Sequence, residues 1–308
     1  MSWIEAVPES VATEAKAFND SLEKLLAKQP TIDQIGHLAV RSARAEGRGM
    51  FGPLTFDKTA KVIDAGGVQV RVIAPPDGVT PKGIYIHMHG GGWTLGTSDS
   101  QDPALGRMAK ATGLVCASIE YRLAPEHPFP AGPDDCETAT HWLLEHAAEL
   151  GAPARFAIGG ESAGAHLAVL TMLRVRSPKI FAANLVYGAY DLSGTPSVRN
   201  WGSRNLVLSS NIIEYFTSGF LPGMDRRAPH ISPLYADLAG LPPALFTVGT
   251  LDPLLDDTLF MEARYRAAGN TTQLRVWPHA VHGFNGFPIE LGRMSDRDQA
   301  EFVASRLV

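Results

Sequence analysis

At the start of the chain, apolar residues recur at helical spacing. Val11, Ala15, Phe18, Leu22, Leu25 and Leu26 do so between Pro8 and Gln29, and Ile35, Leu38 and Ala39 continue within Ile32 to Arg48, up to a Gly-rich break. Two amphipathic helices therefore precede any strand. The period then changes: Phe56 to Ile63 and Val68 to Ile73 read as strands joined at Gly66-Gly67, residues that tolerate the positive φ of a hairpin turn. From Gly83 onward, apolar runs alternate with helical stretches. Ile84 to Met88 leads to a helix over about 103–111, Leu114 to Ile119 to one over 133–150, and Phe156 to Ile158 to one over 165–174. A further strand is expected at Ala183 to Tyr187, then Ala244 to Val248 with a helix to Ala268, and Gln273 to Trp277 with a closing helix from Ile289 to Leu307. Strands alternating with helices imply a mostly parallel central sheet with helices on both faces, an α/β fold. Ser193 to Arg227 breaks the rhythm. It holds Trp201, Leu206, Ile212, Ile213, Tyr215, Phe216 and Phe220, too many large apolar side chains for a solvated loop, so it is expected to fold against something.

Composition narrows the functional classes. With 308 residues, 45% hydrophobic and 19% charged, the chain can bury one large core, and no second full domain is required. Lys and Arg total 27 against 32 Asp and Glu, a net charge of −5 with no basic block, which argues against a nucleic-acid partner. Cys116 and Cys136 form no CxxC and read as reduced core residues. The first twenty residues are acidic and polar where a secretory signal needs a basic end and an apolar run, and no apolar stretch reaches membrane-spanning length. The expected location is cytoplasmic, without membrane insertion.

The candidate chemistry centres on Gly160-Glu161-Ser162-Ala163-Gly164, between an apolar strand and a helical run. A sharp strand-to-helix turn exposes the middle hydroxyl, and small flanking residues avoid clashes in so tight a turn. Ser162 is the candidate nucleophile. His89-Gly90-Gly91-Gly92-Trp93 follows an expected strand, and three adjacent glycines suit backbone N–H donors for an oxyanion better than a regular element. His87 and His89 lie two apart, but no Cys, Asp or further His stands at ligand spacing, so His87 is read as a core or sheet-face residue and no metal site is expected. Downstream, Asp252 and His282 each follow a late strand, in the order acid then base. Asp256 and Asp257 are rival acids placed in the first turn of a helix, where charge at the helix terminus is their expected role. His279 is a rival base that spacing does not separate from His282.

Taken together, His89 to Trp93, the run Tyr121 to Ala131 (YRLAPEHPFPA), Gly160 to Gly164, Asp252 to Asp257 and His282-Gly283-Phe284 resemble the hormone-sensitive-lipase-like bacterial carboxylesterases of the α/β-hydrolase fold, from about residue 56 to the end. The resemblance implies Ser162 as nucleophile, Asp252 as acid and His282 as base, the last because the family histidine precedes Gly-Phe. It also implies an oxyanion hole from the N–H groups of Gly91, Gly92 and Ala163. Hydrolysis of a small-molecule ester, with short acyl chains, through an acyl-enzyme then needs no metal or organic cofactor. Amides, carbamates or lactones are alternative substrates, and a non-catalytic ligand-binding relative is an alternative class. Glu161 and Glu120 stand where many members have Asp. Residues 1–50 and the insertion 193–227 are expected to pack together as a helical cap on a catalytic domain of residues 51–308; the alternative for the N-terminal helices is docking elsewhere for stability or as a homodimer contact.

Overall fold

In the computed structural model, which describes residues 3–49 and 52–307, the chain opens with α1 (Glu9–Leu26), α2 (Ile32–Ile35) and α3 (His37–Ala45). The helix expected over 32–48 is split at Gly36, whose φ of 81° leaves the helical path. Strands β1 (Lys61–Asp64) and β2 (Gln69–Ile73) then pair antiparallel, Lys61 opposite Val72 and Asp64 opposite Gln69. The first strand starts later than its apolar pattern suggested. Asp57 Oδ1 accepts from both the N–H and the hydroxyl of Thr59, and this local turn competes with the ladder.

The alternating part follows as β3 (Ile84–Met88), α4 (Asp102–Thr112), β4 (Val115–Ile119), α5 (Ala131–His146), β5 (Phe156–Glu161), α6 (Ala163–Val175) and β6 (Ile180–Val186). Next come α7 (Pro196–Trp201), α8 (Ser210–Phe220), β7 (Ala244–Leu251), α9 (Leu255–Ala267), β8 (Thr272–Val281) and α10 (Glu290–Ser305). The eight strands form one sheet in the order β1-β2-β4-β3-β5-β6-β7-β8, antiparallel at the β1, β2 end and parallel from β4 to β8. Strands β3 and β4 are buried at every position, which is why they read as continuous apolar runs rather than alternating ones. Helices α4 and α10 cover one face, where Leu105, Met108 and Val303 pack on Tyr85 and Cys116. Helices α5 and α6 belong to the larger core with Ile86 and Ile158. Both cysteines are buried and unpaired, and burial pushes their thiols up.

The N-terminal helices divide their contacts. The apolar face of α1, with Val11, Ala15 and Leu22, shares a core with Val276, Trp277 and Phe287, and Glu5 N–H donates to Val276 O at 2.8 Å. Its contact with residues 193–227 is narrower: an Arg204–Glu23 ion pair at 2.8 Å and the neighbourhood of Leu206. This corrects the expectation that all the N-terminal helices pack on the insertion. Periodicity requires that the α1 face be buried, and the β8 side of the sheet supplies the larger surface. Helices α2 and α3 do meet the insertion, His37 N–H donating to Tyr215 Oη on α8 at 3.0 Å. The insertion itself is folded, with Ile212, Phe216 and Phe220 buried. A boundary between residues 50 and 51, and the chain ends at 1, 2 and 308, lie outside the described residues. Among the described residues, no helix is long and apolar enough to cross a membrane.

Candidate active site

Ser162 sits at the break between β5 and α6 with φ 57° and ψ −121°, a region that L-residues rarely occupy. The turn is held because its surroundings leave no alternative. Ser162 N–H donates to Val186 O at 2.9 Å, and a β-carbon on Gly164 would lie 2.0 Å from Met88 O, so helix and strand approach as closely as only glycine allows. Strain of this kind holds the hydroxyl out at the carboxyl edge of the sheet.

Two loops bring partners to it. His282 follows β8, and its Nε2 lies 2.9 Å from Ser162 Oγ; its Nδ1 lies 2.8 Å from Asp252 Oδ2, on the turn after β7. Asp252 Oδ1 accepts Leu254 N–H at 2.8 Å, which orients the carboxylate. Asp252 and His282 are both buried, and the His282 ring packs on Tyr187 with centroids 4.7 Å apart. His279 is elsewhere: its N–H donates to Thr250 Oγ1 and its carbonyl accepts from Asn19 on α1, while burial, with Lys16 nearby, lowers its pKa.

The glycine loop faces the same space. Among the described residues no hydrogen bond engages the N–H of Gly91 or Gly92, and Ala163, first residue of α6, has no acceptor one turn back. Several side chains fix this loop from below. Glu161 Oε1 accepts Gly90 N–H at 2.7 Å, and Glu161 Oε2 pairs with His87 Nε2 at 2.8 Å, whose Nδ1 meets Ser118 Oγ at 3.1 Å. Glu120 Oε2 accepts Ser98 N–H at 2.6 Å. Both glutamates thus hold backbone. From the other side, Arg41 on α3 donates from Nε and Nη2 to Thr94 O at 2.9 and 2.8 Å, to Ala124 O at 3.0 Å, and to both Glu126 oxygens. That guanidinium holds the Glu126 carboxyl down at about 2. Trp93 stacks on Phe220 of α8 at 4.7 Å and donates its indole N–H to His166 Nδ1 at 3.1 Å. His166 Nε2 is 2.7 Å from Ile231 O, so the ring is neutral with its proton on Nε2, and burial lowers its pKa to about 4.

One cavity of about 980 Å³ contains this edge of the protein. Ser162, His282, Gly91, Gly92 and Ala163 all line it, together with apolar residues of α2 and of the insertion. The arrangement can deprotonate a hydroxyl beside an electrophilic carbonyl while N–H groups face the developing oxyanion.

Residues 85–286 match the family model described as alpha/beta hydrolase fold. The carboxylesterase NlhH of Mycobacterium tuberculosis is 36% identical over 233 residues, 72% of each chain, and the ethyl acetate hydrolase of Pseudomonas putida is 33% identical over 72% of each. The chain belongs to the hormone-sensitive-lipase-like carboxylesterases of the α/β-hydrolase family. Among solved structures, a hyperthermophilic esterase from the archaeon Pyrobaculum calidifontis superposes with TM-score 0.85 at 27% identity, covering 94% of this chain and 97% of its own. A hormone-sensitive lipase from a metagenome library gives 0.86, also at 27%, over 96% and 98%.

The rival acids of the enzyme have found other work. Asp257 is fully buried; Oδ1 accepts Tyr190 and Asp191 N–H at 2.7 and 2.9 Å, and Oδ2 accepts the Thr195 hydroxyl at 2.6 Å. Burial raises its pKa to about 7 against these donors. Asp256 Oδ2 accepts Ser197 N–H at the start of α7 at 2.8 Å. Both lie in the first turn of α9, as expected, and both tie it to residues 190–197, where the chain enters the insertion.

Proposed function

We propose that the enzyme hydrolyses short-chain carboxylic esters by a Ser162, His282, Asp252 triad through an acyl-enzyme. The observation that carries this reading is the unbroken chain from Asp252 Oδ2 through His282 to Ser162 Oγ, both links under 3 Å, opening on the glycine loop in a single cavity. His282 Nε2 takes the Ser162 proton as Oγ adds to the ester carbonyl. Asp252 holds the Nδ1–H tautomer and stabilises the imidazolium, and the N–H groups of Gly91, Gly92 and Ala163 receive the oxyanion. The imidazolium then protonates the departing alcohol. Water activated by His282 releases the acid and restores Ser162.

Helices α2 and α3 with residues 193–227 act as the cap, excluding bulk water and shaping the acyl site. Trp93 and Phe216 wall the cavity beside the glycine loop, which favours short acyl groups, and the names of relatives acting on ethyl acetate or acetyl esters agree with this. The test is a p-nitrophenyl ester series on the purified chain beside Ser162→Ala. Turnover that falls as the acyl chain lengthens and vanishes in Ser162→Ala supports the reading; activity that survives Ser162→Ala sinks it.

A further inference from the structure

The cavity at Ser162 has two unlike ends. Toward α2 and the insertion Leu26, Ile32, Val207, Ile212 and Phe216 form an apolar wall, with Gln29 and Asn205 beside it. Behind Glu161 it continues between α4 and α10, where polar Tyr85, His87, Asn184 and Gln299 stand among apolar Leu105, Met108 and Ala300. Asn184 is 2% exposed, and its Nδ2 donates to Gln299 Oε1 at 3.0 Å and to Tyr85 Oη at 3.3 Å. Its Oδ1 has no partner among the described residues. At the outer end the Arg107–Asp296 pair, at 2.6 Å, crosses from α4 to α10. The other oxygen of Asp296 accepts Asn285 Nδ2 at 2.8 Å, three residues after His282.

We infer that this rear cleft is a second route into the site, which carries the water that hydrolyses the acyl-enzyme. The inference rests on the ester-hydrolysis reading above. An acyl group bound against the apolar wall displaces solvent from that side, and the rear cleft stays open to the deacylating water. Polar groups with spare hydrogen-bonding capacity in a roomy cavity hold water where an apolar wall does not. The step the route serves is balanced within the site. Water oxygen bonds to the acyl carbon as its proton passes to His282 Nε2; the carbon–Oγ bond then breaks, Ser162 Oγ takes that proton back, and the carboxylic acid leaves.

The test narrows the cleft without touching the triad. Ala104, half-buried on α4, and Ala300, buried on α10, both line it. On the full chain, acylation is read from p-nitrophenolate release and deacylation from rapid-quench mass spectrometry of acyl-enzyme decay, with p-nitrophenyl acetate and hexanoate. Ala104→Phe is expected to slow decay of the hexanoyl-enzyme several-fold, and of the acetyl-enzyme less, while kcat/KM stays at wild type because acylation precedes the water step. Ala104→Ser should behave as wild type, and Ala300→Leu should reproduce the effect from the facing helix if the first variant does not fold. Unchanged decay for both acyl groups in folded variants, or equal slowing of acylation and decay, overturns the inference. A wild-type enzyme that never forms an acyl-enzyme instead overturns the ester-hydrolysis reading beneath it.

Discussion

The ring of Phe216 lies on the α-carbon of Gly92, so close that a β-carbon there would fall 2.3 Å from the ring Cγ. An insertion helix thus rests directly on the loop proposed to bind the oxyanion, and the absence of a side chain at Gly92 admits it. Gly92→Ala is expected to lower kcat/KM about a hundredfold, the scale of losing one oxyanion donor. In Gly92→Ala/Phe216→Ala much of that loss should return, short of the roughly 1 kcal/mol that alanine incurs at the left-handed φ of 61°. Strictly additive effects in the double-mutant cycle would mean that the contact does not position the loop.

Arg41 reaches the same loop from the N-terminal side. Its fork engages Thr94 O, Ala124 O and Glu126 together, a geometry that the single ammonium of lysine does not reproduce. Arg41→Lys and Arg41→Ala should each lower kcat/KM by about ten- to a hundredfold, as expected of a misplaced catalytic loop. Wild-type kinetics in a folded Arg41→Ala would show that α3 is dispensable to the loop.

For the triad itself, Ser162→Ala and His282→Ala are each expected to cut kcat by roughly four to six orders of magnitude with little change in Tm, since members of one catalytic unit fail together. His279→Ala, remote from Ser162, should stay close to wild type in kcat. The reverse ranking of the two histidines would move the base assignment.

Two buried groups give stability opposite pH slopes. His166 titrates at about 4 in the folded chain, below its unfolded value of about 6.5, so its contribution is complete above 6.5 and is lost as pH falls toward 4, up to about 3 kcal/mol. Asp257 titrates at about 7, above its unfolded value of about 3.9, so folding is favoured below that value and the contribution declines as pH rises toward 7. Denaturant titrations of His166→Asn and Asp257→Asn across this range check both signs. His166→Asn should flatten the loss toward acid, and Asp257→Asn the loss toward neutrality.

Much of the fold is legible in the sequence. The strand and helix alternation gave the sheet, because strands covered on both faces are written as uninterrupted apolar runs, as in Ile84 to Met88. Ser162 and Asp252 are marked as candidates by their place on turns after apolar strands, whereas His282 is preferred to His279 only because the resemblance puts the family histidine before Gly-Phe. What was hidden depends on contacts between distant backbone and side chain. Arg41 meets carbonyls 53 and 83 positions away, and no local spacing marks an arginine for that role. His166 is the fourth residue after Ser162 on a mostly apolar helix, where a histidine reads simply as core. Periodicity established that one face of α1 must be buried, but carried no information on which surface would bury it.

Asp252, Asp256 and Asp257 fall within six consecutive positions, yet the first pairs with His282 while the other two fasten residues 190–197, where the chain enters the insertion. The alignment of the proposed triad and the shape of the proposed cap are therefore mechanically yoked through the β7–α9 turn and the first turn of α9. Laboratory evolution toward bulkier esters should accordingly leave this turn unchanged and accumulate its substitutions on α8 and α2. A cap borrowed from a relative should graft well only when the first turn of α9 travels with it.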